Sequence, residues 1–304
     1  MPFEITSAEK AMVIRARGIF SRGNVLDLYS YVASNVISLN SLNALAIEIR
    51  GGLLELQALD EGFISVAGYG DVLVNGELCE NWTTIPVRPQ DNITIRSKND
   101  SVVYVNIIGG IPSGLEGVEL RHGTKLSEAR SYDSEEICRI LSALRVPETI
   151  RPTTQKVICV ATPKMRKQYG NTVKAVLFKK REYYLLKMER PPPSDETIVD
   201  AEPPVLRSDG GILIPILHYE HDDNVCGWIP SDDLDSLARL ESLHLVDVKY
   251  CSESYAMEKC SEYMEKLLWL KRTIETSIEA VKRGAKALRV KVNGRTYIAW
   301  IESL

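Results

Sequence analysis

Apolar and polar positions alternate in short runs along most of the chain, and a helical period replaces the alternation in four places. A short strand is expected within residues 8–20, where Met12, Ile14 and Ile19 are apolar. From Asp27 to Asn40, Leu28, Val32, Val36 and Leu39 recur at helical spacing, and Asp27 can cap the helix start. Leu45, Ile47 and Ile49 then alternate with Ala46, Glu48 and Arg50. Gly51-Gly52 is expected to break that run, which resumes over Leu53 to Leu59. Phe63 to Ala67, Val72 to Val74, Ile93 to Ile95 and Val102 to Ile108 follow as short strands, with Asn75-Gly76 as a hairpin turn. Short strands at this spacing point to a sandwich or barrel.

Gly109 to Gly123 is a glycine-rich connection, and Ser134 to Leu144 reads as a short amphipathic helix with Ile137, Ile140, Leu141 and Leu144 inward. A second strand-rich stretch opens at Lys156 to Val160 and continues through Val173 to Phe178 and Tyr183 to Met188. Arg190 followed by Pro191, Pro192 and Pro193 opens a stiff exposed loop that runs to Pro204. Gly211 to Leu217 reads as a buried strand, Ser231 to Leu240 as a helix and Leu245 to Tyr250 as a closing strand. The tail differs: Cys260, Tyr263, Leu267, Leu270, Ile274, Ile278 and Val281 form one stripe along a long helix, Ser254 to Arg283. Asn293-Gly294 then turns a terminal hairpin. The expected division is 1–115 for a first barrel half, 116–150 for a helical connector, 151–250 for a second half and 251–304 for the helix and hairpin.

Composition narrows the function classes. Of 304 residues, 44% are apolar and 26% charged, the balance of a packed globular protein. A net charge of −4 with scattered basic residues argues against nucleic acid as a partner. No apolar run reaches the roughly 18 residues of a membrane span. Glu4 and Glu9 interrupt the N-terminus, so no signal peptide is read there, and a cytoplasmic location is expected. Six cysteines occur without a CxxC pair, and buried thiols are the favoured reading. Scarce Gln beside abundant Glu, Lys and Arg is a thermophile-like composition, in which intracellular disulfides also occur.

No phosphate-binding loop, dinucleotide fingerprint, nucleophile elbow or HExxH is present. No catalytic residue can be assigned from the sequence and no metal site is expected. The segment His218-Tyr219-Glu220-His221-Asp222-Asp223 has ligand chemistry, but a polar turn is the preferred reading. Gly109-Gly110 and Gly68-Tyr69-Gly70-Asp71 can either cradle an anion or make tight turns, and the turn is preferred. Asp27 and Asn35 lie eight apart, on one side of their helix, and can line a pocket or decorate a surface. Trp269 is expected to pack into the core rather than to meet a partner helix.

The ordered succession of these pieces resembles the allophanate hydrolase subunit 2 family, also called the KipA or biotin-dependent carboxyltransferase-like family, over about residues 20 to 250. In the first half it rests on Gly23, Asp27, Asn35 and Leu39-Asn40, then on Leu45 to Ile49 with Gly51-Gly52. Val66-Ala67-Gly68, Asn75-Gly76, Trp82, Arg88-Pro89-Gln90-Asp91 and Tyr104 to Ile111 follow in the expected order. In the second half it rests on Val157 to Val160 with Pro163, on Arg181, on Ser208 to Pro215 and on Ile229 to Leu240. This chain departs from the family where Leu213 stands for the usual Gln and where an early Gln-Asp-Gly-Arg loop is missing. The Gly-Gly-Tyr-Pro segment is also reduced, to Cys226-Gly227-Trp228.

The resemblance implies two cyclophilin-like β-barrel halves, with substrate facing a cleft between them. It implies a subunit of an ATP-dependent amide-processing complex, of the 5-oxoprolinase or the urea or allophanate carboxyltransferase kind, acting on a carbon–nitrogen bond. The alternative it leaves is a catalytically degenerate scaffold. Either would pair with a smaller KipI-type partner, the first also with a LamB/YcsF-type protein. No cofactor is expected on this chain alone; ATP would act at the level of the complex, and biotin is left open. Candidate substrate-binding residues are Asp27, Asn35, Arg181, Ser208, Asp209, Gly109 and Gly110. Arg181 would hold a carboxylate, which its planar fork suits.

Overall fold

The computed structural model describes residues 3–18, 22–126, 134–162, 172–189, 204–208, 210–216, 225–293 and 295–302. It divides into two compact units, Met1–Pro152 with Lys266–Leu304, and Thr153–Glu265.

The first unit opens with β1 (Phe3–Ile14) and helix α1 (Leu28–Ile37). Strands β2 (Ala46–Ala58), β3 (Gly62–Gly68), β4 (Gly70–Val74), β5 (Glu77–Cys79), β6 (Thr83–Val87), β7 (Asn92–Ser97), β8 (Val102–Ile107) and β9 (Lys125–Leu126) follow. Helix α2 (Glu135–Ala143) comes next, capped by Ser134. The nine strands form one curled, barrel-like sheet in the order β5-β4-β7-β2-β8-β3-β6, with β1 paired to β2 and β9 to β1. The N-terminal strand starts earlier than the sequence pattern indicates, at Phe3, and stops at Ile14. Phe3 and Ile5 are buried in pairing with Ala58 and Leu56, and Ile19 lies outside the described residues.

Gly51-Gly52 does not end a strand, as the pattern suggested; it lies within β2. Ile47 to Arg50 pair with β8, whereas Leu53 to Gln57 pair with β7, so the glycines mark where one strand changes partners. Opposite them the β1 register shifts between Glu9 and Ala11. Gly51 takes φ +58, and a Cβ on Gly52 would stand 2.1 Å from the Glu9 carbonyl oxygen. A close crossing of two backbones at a bulge admits only glycine there. The predicted Asn75-Gly76 turn has both residues at positive φ, 52 and 83, as a type I′ turn requires.

The second unit contains β10 (Val157–Ala161), β11 (Thr172–Lys179), β12 (Tyr183–Lys187), β13 (Pro204–Ser208), β14 (Gly211–Pro215), β15 (Val225–Trp228), helix α3 (Ser231–Arg239) and β16 (Leu245–Cys251). The strands close into a barrel in the order β10-β15-β13-β14-β12-β11-β16. Strand β16 is the closing strand, parallel to β10 and antiparallel to β11. Ile158 and Val160 alternate along β10 with Cys159 and Ala161, and all four are buried. Cys159 and Ala161 join Cys251 and Ala256 in a cluster of their own, so both faces of this strand are covered.

Helix α4 (Glu253–Lys282) begins in the second unit and ends in the first. Of its predicted stripe, Tyr263, Leu267, Leu270, Ile274 and Val281 are buried, and Cys260 and Ile278 are half-buried. Trp269 is not part of it and is 54% exposed, against the expectation of core packing. The terminal hairpin consists of β17 (Lys286–Val292) and β18 (Arg295–Ile301). The expected mainly-β architecture, two barrels with a long C-terminal helix and a hairpin, is the one observed. No helix among the described residues is long and apolar enough to cross a membrane.

Candidate functional site

Two buried polar centres stand out, one in each unit. In the first, helix α1 is buried along its whole length although it carries Ser30, Ser34 and Asn35. Asp27 caps the helix, accepting from the Ser30 amide at 3.1 Å and the Ser30 hydroxyl at 2.6 Å. The Asp27 amide donates to the Tyr104 hydroxyl at 2.9 Å, and that hydroxyl donates to Glu48 Oε2 at 2.5 Å. The Leu26 amide donates to the same carboxylate oxygen at 3.2 Å, and Arg50 pairs with Oε1. Burial pushes the Tyr104 phenol well above its ordinary range, and the charges of Glu48 and Asp27 reinforce it. Tyr104 is therefore held as a neutral donor between two acidic residues.

One turn along, Ser65 donates to the Ser34 carbonyl at 2.8 Å and lies 2.5 Å from the Ser38 hydroxyl. Asn106 Nδ2 donates to Ser34 Oγ at 2.8 Å, and Thr84 donates to the Ile37 carbonyl at 2.8 Å. Asn35 Nδ2 and the Tyr31 hydroxyl both donate to the Ala44 carbonyl, at 3.2 and 2.6 Å. Burial pushes the Tyr31 phenol up to about 12. The side-chain oxygens of Asn35 and Asn106 are buried and meet no donor among the described residues. The seam thus has spare acceptor capacity at two points and is otherwise satisfied.

In the second unit, three carboxylates of α3 are buried, Asp232, Asp233 and Asp235. Each is engaged: Gln155 donates to Asp232 at 3.2 Å, Lys259 to both oxygens of Asp233 at 2.7 Å, and Tyr263 to Asp235 at 2.5 Å. The Cys159 amide also donates to Asp233, at 3.1 Å, which ties α3, α4 and β10 together. Lys259 Nζ lies 3.7 Å from the Cys159 sulfur. Burial pulls the Lys259 ammonium down, but the charge and hydrogen bonds of Asp233 outweigh it, and the net shift is upward. Burial pushes the Asp233 carboxyl up, against the opposing pull of Lys259. A hydrogen bond from Cys251 leads the effects that bring the Cys159 thiol below its ordinary range, with Lys259 assisting, while that same bond and burial push Cys251 up. The centre is a cation–carboxylate lock beside a thiol pair. Cys159 is only 3% exposed, so its chemistry is shielded. None of the six cysteines is joined in a disulfide.

The residues singled out from sequence are distributed over both units. Asp27 and Asn35 are fully buried and bond within the first unit as described. Gly109 and Gly110 turn the chain after β8 at φ 93 and 97, and the Gly110 amide donates to the Ile107 carbonyl at 3.0 Å. Gly68 and Gly70 lie where a Cβ would strike Val102 O at 2.5 Å and Val103 Cγ2 at 2.4 Å, so close packing on β8 accounts for them. Arg181 lies exposed between β11 and β12. Ser208 ends β13 opposite Gly211, with its buried hydroxyl unpartnered among the described residues. Asp209 and the His218 to Asp223 segment lie outside the described residues. Sequence reasoning missed Glu48, Tyr104, Asp233 and Lys259. No local pattern marks them: Glu48, for one, stands between Ile47 and Ile49 at the polar position of an alternating run, as a solvent-facing residue would.

No family model matches the sequence, and no curated protein sequence matches it significantly. Solved structures do match in fold. TTHA0988 superposes with a TM-score of 0.62 at 16% identity, over 83% of this chain and 56% of that one. The urea amidolyase of K. lactis gives 0.62 at 17% identity, over 91% of this chain and 20% of that one. The Kluyveromyces lactis urea carboxylase gives 0.61 at 17% identity, over 91% of this chain and 29% of that one. The chain thus spans about half the length of TTHA0988 and a smaller part of the two urea enzymes. At these identities the likeness establishes a shared fold and nothing finer.

Proposed function

We propose that the chain is a subunit of an ATP-dependent amide-processing assembly, of the 5-oxoprolinase or urea carboxyltransferase kind, acting on a carbon–nitrogen bond. The observation that carries this reading is the fold match over 91% of the chain to the urea carboxylase and urea amidolyase, of which it spans only a part. A chain equivalent to a piece of a larger enzyme works through the other pieces. Here these would be a KipI-type partner and a LamB/YcsF-type protein, with ATP, and biotin if the carboxyltransferase kind applies, acting in the complex. Within this chain Arg181 is the substrate group of choice, because it is exposed and its planar fork pairs with a carboxylate. Ser208 and Asp209 in the second unit, and Gly109 and Gly110 in the first, are further candidates, each to be tested separately.

The test is reconstitution with the two partner types and an assay of ATP-dependent 5-oxoproline hydrolysis and of urea carboxylation. Turnover that falls on Arg181→Ala supports the reading; undiminished turnover removes Arg181 from it.

The second reading, a degenerate scaffold that retains the partner surface, is favoured by two observations. Asp27 and Asn35 are fully buried in bonds that hold α1, and Leu213 fills the usual Gln position with an apolar group. Co-purification with a KipI-type chain and no turnover selects the scaffold. Failure to recover any such partner counts against both.

A further inference from the structure

Outside these two centres, three guanidinium groups of the first unit converge on one carboxylate. Glu80, just after β5, meets Arg289 at 2.6 Å, Arg151 at 3.2 Å and Arg145 at 3.5 Å. The three arginines come from separate places: Arg145 follows α2, Arg151 follows the 3-10 turn Glu148–Ile150, and Arg289 lies on β17. Their other hydrogen bonding is sparse. Arg151 also donates from Nε to the Val146 carbonyl at 3.0 Å. Arg145 Nε is buried and has no partner among the described residues. Each guanidinium carries five donors, so most of the donors at this point meet no acceptor among the described residues.

The charges do not balance either. Among the described residues three cations face one anion, and the excess has a visible consequence. Burial, together with the charges of Arg289 and Arg151, pulls the Arg145 guanidinium below its ordinary range, against the pull of Glu80. An ion-pair network selected for stability alone would match its charges, since surplus like charge repels.

The local frame is fixed by the backbone. Val146 donates to the Trp82 carbonyl at 2.8 Å, and Thr84 donates to the Leu144 carbonyl at 3.1 Å. The Tyr29 hydroxyl donates to the Ile150 carbonyl at 2.5 Å. Asn81, next to Glu80, donates to the Gly68 and Gly70 carbonyls at 2.8 and 3.1 Å. Arg145 and Arg151 are therefore set on tied-down segments, with side chains 21% and 22% exposed, while Arg289 reaches over from the hairpin at 60%.

We propose that Arg145, Arg151 and Arg289 form a binding site for a phosphate group, and that the Glu80 carboxylate occupies it as an internal stand-in when ligand is absent. A phosphate offers three terminal oxygens and about two negative charges, against the two oxygens and one charge of a carboxylate. It would satisfy three forks arriving from different directions and cancel the surplus charge. Glu80, about one-third exposed, would swing outward to solvent as the ligand enters. The inference does not depend on the amide-processing reading, since it concerns a different set of residues.

The test uses the full-length chain and inorganic phosphate, followed by calorimetric titration, with succinate as a dicarboxylate control. Wild type is expected to bind phosphate weakly. Glu80→Gln removes the competing carboxylate and should bind about tenfold more tightly, the worth of one charge-assisted contact. Arg289→Gln, the variant least able to disturb folding, should weaken binding about tenfold or more. Circular dichroism confirms that each variant is folded. No heat with phosphate for either wild type or folded Glu80→Gln overturns the proposal. So does binding that is indifferent to Arg289→Gln, or succinate binding as tightly as phosphate.

Discussion

Replacing Asp233 by Ala tests the physical account of the second unit most directly. Asp233 accepts three hydrogen bonds, two from Lys259 and one from the Cys159 amide. Its loss leaves an ammonium with a side chain only 16% exposed, whose nearest remaining partner is the Cys159 sulfur at 3.7 Å. Breaking a buried ion pair from one side costs about 3–5 kcal/mol, and the residual exposure of Lys259 favours the lower end. The orphaned amide adds about 1 kcal/mol or more, so a total near 4 kcal/mol is expected on these grounds. Lys259→Met alone should cost less, because a buried carboxyl already pushed upward can take a proton. In the double variant no uncompensated ammonium is left, and a coupling of about 2 kcal/mol should emerge from the cycle. Urea unfolding gives the four stabilities, and hydrogen exchange of the Val157–Ala161 amides reports the local effect. Single substitutions that each cost below about 1 kcal/mol, or effects that simply add, would show that the pair is a bystander and refute the reasoning.

Further outcomes follow from the first unit. Tyr104→Phe removes the donor to Glu48 and the acceptor of the Asp27 amide, and should lower stability by about 1–3 kcal/mol in thermal unfolding. Gly52→Ala places a methyl carbon against the Glu9 carbonyl and should cost about 2 kcal/mol or more in urea unfolding, whereas Gly76→Ala, with open space around it, should cost only the strain of a positive φ. The folded Tyr31 phenol sits at about 12 against roughly 10 when unfolded. Because burial disfavours the phenolate, stability tied to the neutral phenol, on the order of 3 kcal/mol, is whole below pH 10 and is lost as pH rises through 12. An alkaline stability titration of Tyr31→Phe beside wild type should show the loss of that component.

Much of the fold was legible because it follows from local pattern. The period-two runs between Leu45 and Ile108 became strands β2 to β8, and the stripe from Tyr263 to Val281 became the buried face of α4. Asn75-Gly76 made the turn its residue types demand. What pattern could not show was partner choice. Gly51-Gly52 looks like a terminator because both residues lack side chains, and only the pairing of β2 first with β8 and then with β7 reveals a continuous strand with a bulge. Trp269 looks like core because it sits between Leu267 and Leu270, yet a helix of 30 residues turns that position outward. An apolar residue next to a stripe is not thereby within it.

The candidate site was less legible for a deeper reason. On α1, Leu28, Val32 and Val36 read as the inner face, which makes Ser30 and Ser34 the solvent face of an ordinary amphipathic helix, while Asn35, seven residues on from Leu28, falls beside the apolar face. The structure buries both faces, because the surrounding strands supply acceptors and donors that the helix sequence cannot announce. Ser65 of β3, Thr84 of β6 and Asn106 of β8 come from 31, 47 and 72 positions away from the groups they bond. Each of these strands carries only one or two small polar residues among apolar ones, and so few carry almost no signal. The pairing carries the information, since a buried hydroxyl or amide without its partner costs about as much as the bond contributes, or more. Glu48 and Tyr104 obey the same logic at opposite ends of one bond: a carboxylate buried in a strand is destabilising until a phenol from β8, the Leu26 amide and Arg50 meet it. The seam therefore specifies the placement of α1 more tightly than apolar packing would, because a helix displaced by one turn would strand at least four buried polar groups at once.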